Sequence, residues 1–193
     1  DLNNKLFEKL SLTTGLMRES NSFLLSRSGG AFEFENENIT NFYAINLRKN
    51  FSKNGILSFN NTFGFSNLKN NYNSFIIGSS EVLSASFEID YELNNIFKND
   101  KLNFTLSQPN RVEKGDMKFR LIGLSNKNGI IPYQDHIINL SPNGRQKDLI
   151  LSYYKNFTDS FKFGLKSVVT DDLGHIKDSN LRTNFFATFS FSF

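Results

Sequence analysis

The chain ends in a segment that alternates between aromatic or small apolar residues and hydroxyl residues. One parity carries Phe185, Ala187, Phe189, Phe191 and Phe193, and the other carries only Thr or Ser from position 188 to 192. Successive side chains of a β-strand point to opposite faces, so this segment predicts a strand with one aromatic and one polar face. A soluble edge strand this apolar would invite aggregation, because neither charge nor proline interrupts it. Lipid on one face and a wet interior on the other would remove that problem, which favours a transmembrane β-barrel.

The composition agrees with a barrel better than with a disordered chain or a bundle of membrane helices. Hydrophobic residues make up 38% and the mean hydropathy is -0.38, yet the chain contains 22 Phe and 6 Tyr. Disordered segments are poor in aromatic residues. A barrel strand needs an apolar residue only at every second position. No apolar run approaches the roughly 18 residues that a membrane-spanning helix requires.

The same two-residue period recurs along most of the chain and predicts ten strands from residue 21 onward. They lie at 21–28, 39–47, 57–66, 83–93, 102–107, 117–122, 131–140, 149–153, 161–170 and 185–193. Residues 1–20 stay open as a lead-in, a plug or an extra strand, and residues 21–193 form the predicted outer-membrane β-barrel. The predicted fold is all-β, a transmembrane antiparallel up-and-down β-barrel with about 10–12 strands, and a parent barrel with the larger number is favoured.

The predicted connections alternate between short and long. Short turns are expected at 52–55, 94–99, 126–130 and near 158, and longer loops at 67–80, 108–113, 141–146 and 171–181. Outer-membrane barrels have short periplasmic turns and longer external loops, with both termini on the periplasmic side. The alternation therefore favours a meander over a Greek-key sandwich.

Charged residues occupy the polar parity of three predicted strands. They are Glu88, Asp90 and Glu92 on one strand, and Lys118, Arg120, Lys162 and Lys166 on two others. In a barrel these charges would face the lumen and could pair across it. The lumen would then be a polar channel or would hold a peptide segment. The alternative is a solvated sheet face without further function.

Sequence motifs for catalysis, metal binding and nucleic-acid binding are absent. The two histidines, His136 and His175, are far apart, Cys is absent, and no nucleophile elbow, zinc-protease motif or phosphate-binding loop occurs. The net charge of +3 comes from dispersed residues, without a dense basic block. We therefore predict no catalytic residues, no cofactor, no metal site and no nucleic-acid partner.

Three segments resemble the C-terminal region of subtilisin-type serine peptidases that carry an outer-membrane, autotransporter-like barrel in Gram-negative bacteria. The segments are LSQPNRVEKG at 106–115, LSPNGRQKDL at 140–149 and DLGH at 172–175. The positions that carry the resemblance are Pro109, Arg111, Gly115, Pro142, Gly144, Arg145, Gly174 and His175. Asn110 and Gln146 depart from the residues usual in that family. The resemblance covers the last 90 residues or so, and residues 1–100 match only in their barrel-like pattern.

The resemblance implies an outer-membrane translocator or anchor for a secreted subtilisin-like protease passenger that lies upstream of this chain. The implied partners are outer-membrane lipid, the barrel assembly machinery and the chain's own passenger, with a monomer expected. The terminal residues Phe189, Phe191 and Phe193 would be the assembly signal, so deleting Phe193 should impair assembly more than replacing one outward Phe elsewhere. The alternatives are a free-standing porin or structural barrel, an outer-membrane hydrolase, and a soluble β-sandwich.

Overall fold

The chain forms an all-β structure in a computed structural model that describes residues 8–24, 26–27, 29–34, 37–68, 74–124, 129, 132–158 and 160–192. Thirteen strands occur in these ranges. They are β1 (Lys9–Glu19), β2 (Ser22–Phe23), β3 (Ser26–Arg27), β4 (Asn38–Asn50), β5 (Gly55–Asn67), β6 (Ile76–Ser79), β7 (Val82–Asn94), β8 (Asp100–Lys114), β9 (Asp116–Ile122), β10 (Tyr133–Asn139), β11 (Lys147–Asn156), β12 (Phe161–Asp171) and β13 (Arg182–Phe191). No helical turn in these ranges is long and apolar enough to cross a membrane.

Eight strands form one antiparallel sheet in the order β1-β4-β5-β7-β8-β11-β12-β13. Their order in the sheet follows their order in the chain, so the prediction of an up-and-down antiparallel meander is confirmed for this sheet. Among the described residues the sheet is open, with β1 and β13 at its edges. The prediction of ten to twelve strands in one barrel is therefore not met by this sheet, which has eight.

The sheet separates apolar from polar residues across its whole width. One row of directly paired residues crosses all eight strands and consists of Leu10, Leu47, Phe59, Ile89, Leu106, Leu149, Val169 and Thr183. The next row, on the opposite face, consists of Ser11, Asn46, Asn60, Glu88, Ser107, Asp148, Thr170 and Arg182. We call these the apolar face and the polar face. The alternation along each strand therefore appears as two distinct faces of the whole sheet. The pairing register maintains this separation, because a slip of one residue in any strand would move that strand's apolar side chains to the polar face.

All the short connections of this sheet lie at one end and all the long ones at the other. The short-turn end has the connections 51–54, 95–99 and 157–160, whereas the loop end has 20–37, 68–81, 115–146 and 172–181. The predicted alternation is confirmed for this sheet, with two corrections. Residues 108–113 belong to β8, not to a loop, and four of the predicted turn residues at 126–130 lie outside the described residues.

Three predicted barrel strands belong elsewhere. Residues 117–122 and 131–140 were expected in the meander, but β9 pairs with β10 on one side and β6 on the other in a separate three-stranded sheet. The strand expected at 21–28 is replaced, among its described residues, by the short antiparallel pair β2 and β3. Conversely, residues 9–19, which the sequence left open, form β1 and pair with β4 along its length. Strand propensity is local, whereas the choice of partner depends on long-range packing, so sequence periodicity could not separate the two sheets.

Three of the four connections at the loop end, 20–37, 68–81 and 115–146, share a hydrophobic core, and we call this unit the loop-end cap. Its buried residues are Phe23, Phe34, Leu68, Ile76, Val82 and Met117. The cap covers the neighbouring end of the polar face, where Thr40 and Ser66 are buried and their hydroxyl oxygens are 2.7 Å apart in a hydrogen bond. Buried hydroxyl groups need such partners, since an unpaired buried polar group is costly. These three connections therefore pack together into one unit.

Candidate functional site

The three segments that carry the family resemblance meet at the loop end of β7, β8, β11 and β12. The first lies at the end of β8, the second in the loop before β11, and the third in the loop after β12. Hydrogen bonds from six side chains, some to side chains and some to backbone groups, join these segments into what we call the loop-end network: Gln108, Arg111, Glu113, Arg145, Gln146 and His175. This cluster is the candidate functional site.

Two bulges in β8 bring the first segment into the network. The pairs Phe87–Gln108 and Ala85–Arg111 span two steps on β7 but three on β8, and a second irregularity follows at Glu113. The first bulge contains Pro109, which has no N–H group for a regular ladder. Proline inside a sheet is confined to edges and bulges for this reason. The bulges also bend the strand, which turns Arg111 towards the loop before β11.

Arg111 connects the end of β8 to that loop. Its Nε donates to the carbonyl oxygen of Gly144 at 2.9 Å, and its Nη2 donates to the carbonyl oxygen of Pro142 at 2.6 Å. Its Nη1 donates to Oε2 of Glu113 at 2.6 Å. The side chain is only 11% exposed. A guanidinium group suits this position because its planar fork presents five N–H donors in several directions.

Glu113 joins two arginines, Arg111 on its own strand β8 and Arg145 in the loop before β11. Its Oε2 accepts a hydrogen bond from Arg111 and another from Nη2 of Arg145, both at 2.6 Å. Nη1 of Arg145 donates to Oε1 of Gln108, which is itself buried. Arg145 is more exposed than Arg111, with 45% of its side chain accessible. The carboxylate therefore stabilises two cations, and removing it would leave both without their shared counter-charge.

His175 links the third segment to the second through Nδ1 and to the first through Nε2. The backbone N–H of Gln146 donates to Nδ1 at 3.0 Å, so Nδ1 is an acceptor and the proton of the neutral ring is on Nε2. Nε2 donates to the carbonyl oxygen of Asn110 at 3.1 Å. The side-chain oxygen of Gln146 in turn accepts from the backbone N–H of Gly174 at 2.8 Å. With both nitrogens bonded to backbone groups, His175 connects the loop after β12 to the loop before β11 and to the end of β8.

The glycine at position 144 is required by close packing. Gly144 is buried, and a Cβ atom there would lie 2.6 Å from the backbone carbon of Ile176 and 2.8 Å from the carbonyl oxygen of His175. Both contacts are with backbone, which cannot rotate away. Gly144 also donates its N–H to that same carbonyl oxygen at 2.8 Å. Gly115 and Gly174 are suited to their positions for another reason: their φ angles are 154° and 67°, positive values that residues with a Cβ atom rarely adopt.

Most of the charged residues predicted to share one face do lie on the polar face of the main sheet, but two do not. Glu88, Asp90 and Glu92 lie on the polar face of β7, and Lys162 and Lys166 lie on the same face of β12. Glu92 forms an ion pair with Nζ of Lys101 at 2.5 Å, a partner that the sequence reasoning missed. Asp90 accepts a hydrogen bond from Oγ1 of Thr105 at 2.5 Å.

The expectation for Lys118 and Arg120 was wrong, because both lie on β9 in the three-stranded sheet. Arg120 forms a bidentate pair with Asp135 of β10, at 2.8 and 2.9 Å. The hydrogen bond from Arg120 holds the pKa of Asp135 below its usual range, while partial desolvation opposes this effect. The charge of Arg120 is thus paired within β9 and β10.

The remaining predicted residues fall in three places. Phe189 and Phe191 lie on the apolar face of β13, and Phe193 lies outside the described residues. His136 lies on β10, next to Asp135. No group of three or more His, Asp or Glu residues within the described ranges is arranged to hold a metal ion.

Sequence reasoning missed Gln108 and Glu113 as members of the network, although both lie inside the first segment. A spacing of two residues places Arg111 and Glu113 on one side of a strand, and that spacing was the available signal. The pairing of Glu113 with Arg145 had no signal in the sequence, because it depends on how the end of β8 meets the loop before β11 in the folded chain.

Comparisons with protein-family models, with curated proteins and with solved structures find no match to this chain.

Proposed function

We propose that this chain is an integral outer-membrane β-barrel domain of a Gram-negative bacterium that anchors or exports a protease passenger. The apolar face that crosses all eight strands, beside a polar face of the same extent, carries the proposal. Leu12 on one edge strand is 71% exposed and Phe185 on the other is 78% exposed. Contiguous exposed apolar surface of this kind marks a membrane or protein contact. A polar face on the other side of the same strands is what a lumen requires.

The stagger of the strands supports a barrel. The apolar row begins at Leu10, near the short-turn end of β1, and reaches Thr183, near the loop end of β13. A sheet that closes must have such a stagger, because barrel strands tilt against the axis. In a bilayer the open edges of β1 and β13 must be hydrogen-bonded, either to each other or to further strands. The two strands run in opposite directions, which allows an even strand number.

The apolar side chains of the short turns support a position at the membrane surface. Phe51, Phe97 and Phe157 each lie in a different short turn, and Phe97 is 73% exposed. Phe157 stacks on Phe161, with ring centroids 5.3 Å apart, and Phe161 stacks on Phe191 at 4.9 Å. Barrels carry aromatic girdles where strands leave the hydrocarbon core. We therefore assign the short-turn end to the periplasmic interface and the loop-end network to the outside.

A tryptophan scan tests the membrane position, because the chain has no native Trp. We expect the fluorescence of Phe63→Trp, on the apolar face of β5, to be quenched by brominated lipid chains. Thr62→Trp, the next residue and on the polar face, should be quenched by aqueous acrylamide instead. Equal quenching of both variants by acrylamide, with no effect of brominated lipid, would contradict a lipid-facing surface and favour a soluble β-sandwich.

The passenger role rests on the resemblance of the three segments and on their meeting in one network. A reporter domain fused upstream of this chain tests it in a Gram-negative host. We expect the reporter to become accessible to external protease on intact cells. Periplasmic retention of the reporter with a correctly assembled barrel would overturn the export role but leave the membrane domain intact.

The polar face favours a second candidate function, a free-standing porin. Glu88, Asp90 and Glu92 form an acidic row on β7, and the polar face also carries Lys162 and Lys166. Such rows of opposite charge set the ion selectivity of aqueous pores. Ion conductance of the isolated chain in planar bilayers would support this candidate.

A further inference from the structure

The strand β10 forms an open edge of the three-stranded sheet. It pairs with β9 on one side, and among the described residues no strand lies on its other side. All seven of its residues are exposed. No proline or register irregularity interrupts it within Tyr133–Asn139. Natural proteins usually protect an edge of this kind, because its free N–H and C=O groups are a template for another strand.

The hydrogen-bond pattern shows which backbone groups of β10 are open. Gly123 donates to the carbonyl oxygen of Pro132, and Leu140 donates to that of Gly115, so the even-numbered residues bond to β9. In an antiparallel pair the residues that exchange bonds alternate along the strand. The N–H and C=O groups of Tyr133, Asp135 and Ile137 therefore point away from β9 towards the open edge.

The side chains of these same three residues share one face of the hairpin. Tyr133 and Ile137 are both 67% exposed, and Asp135 lies between them. The opposite face carries Met117, which is buried in the loop-end cap. The bidentate pair with Arg120 holds Asp135 in place, and a carboxylate retains further lone pairs for a second donor. The edge thus presents an apolar, an acidic and an apolar position in sequence.

No antiparallel register that overlaps five or more residues lets a second copy of β10 complement all three positions, since the one that pairs Ile137 with Ile137 leaves Tyr133 beyond the end of the second strand. Full antiparallel overlap of two copies would put Ile137 opposite Asp135 of the second copy. Sliding the register so that Tyr133 meets Ile137 would put the two Asp135 residues opposite each other, and like charges in directly opposite positions are unfavourable. A strand with a basic residue between two apolar residues fits both requirements.

We propose that β10 binds an extended peptide by strand addition, and that the peptide has apolar residues at two alternate positions flanking a lysine or arginine. The backbone bonds would come from Tyr133, Asp135 and Ile137, and the basic residue would contact the carboxylate of Asp135. Strand addition of this kind takes its affinity from main-chain bonds and its specificity from alternate side chains. The inference concerns the loop end alone and holds whether or not the passenger role does.

The test is a titration of the full chain, folded in detergent micelles, with the synthetic peptide Thr-Val-Thr-Lys-Thr-Val-Thr. We expect saturable binding that follows the amide resonances of β10. A matched control peptide, with N-methyl groups on the amides that would pair with β10, should bind at least about tenfold more weakly, since it loses the backbone bonds but keeps the side chains. Replacing the central lysine with glutamate should also weaken binding.

Two variants of the protein complete the test. Ile137→Pro removes an N–H that points outward, a change that edge strands tolerate, and it should abolish binding with β9 pairing intact. Ile137→Ala keeps that N–H and should retain weaker binding. Equal binding of the N-methylated peptide, no binding of the parent peptide, or dimerisation of the protein through β10 would each overturn the proposal.

Discussion

The variant Gly144→Ala is expected to lose about 2–3 kcal/mol of the free energy of unfolding, the cost of forcing extra atoms into a packed site. The added Cβ would meet the backbone of Ile176 and His175 at 2.6 and 2.8 Å, and also the backbone nitrogen of Lys177. The loop after β12 would have to move away. That movement would also break the bond from the N–H of Gly144 to the carbonyl oxygen of His175.

The measurement is equilibrium unfolding in detergent micelles, followed by circular dichroism or by the heat-modifiable shift on a gel. Gly29→Ala is the matched control, because a Cβ at Gly29 meets nothing within 4 Å and the φ angle there is -155°. We expect its transition to coincide with that of the wild type. An unchanged transition for Gly144→Ala would show that the two loops do not depend on their close approach.

The variant Arg111→Ala is expected to cost about 3 kcal/mol, because removing one partner of a largely buried, hydrogen-bonded ion pair leaves its other groups unsatisfied. Arg111 is the more buried of the two arginines and bonds to Pro142, Gly144 and Glu113. Arg145→Ala should cost less, about 1 kcal/mol, because its side chain is 45% exposed and water screens its pairing with Glu113.

The ranking of the two variants is the informative result. Arg111→Lys should fall between them, since an ammonium group keeps the charge but cannot reach three acceptors in different directions. Unfolding free energies and amide hydrogen exchange in the loop before β11 would be compared for all three variants. If Arg145→Ala proved as costly as Arg111→Ala, the network would depend on its total charge and not on the buried fork of Arg111.

The alternation of residues such as Phe189 and Ser190 predicted the strands and their two faces well, because the period of two is a local property of the chain. The sequence also singled out the three segments around Arg111, Gly144 and His175, which the structure brings together. Their role was not, since each segment contains only part of the loop-end network. Glu113 shows the difference: its bond to Arg111 follows from a spacing of two residues, whereas its bond to Arg145 spans 32 positions in the chain.

The sequence by itself determined that this is an antiparallel β protein with one apolar and one polar face, because hydrophobic period and turn residues act over a few positions. Only the tertiary structure decided that residues 9–19 join the main sheet while 116–122 and 133–139 leave it. Both kinds of segment have the same local pattern. Their partners are chosen by the packing of Met117 and Phe23 into the loop-end cap and by the pairing of Arg120 with Asp135, and those contacts form only when distant parts of the chain meet.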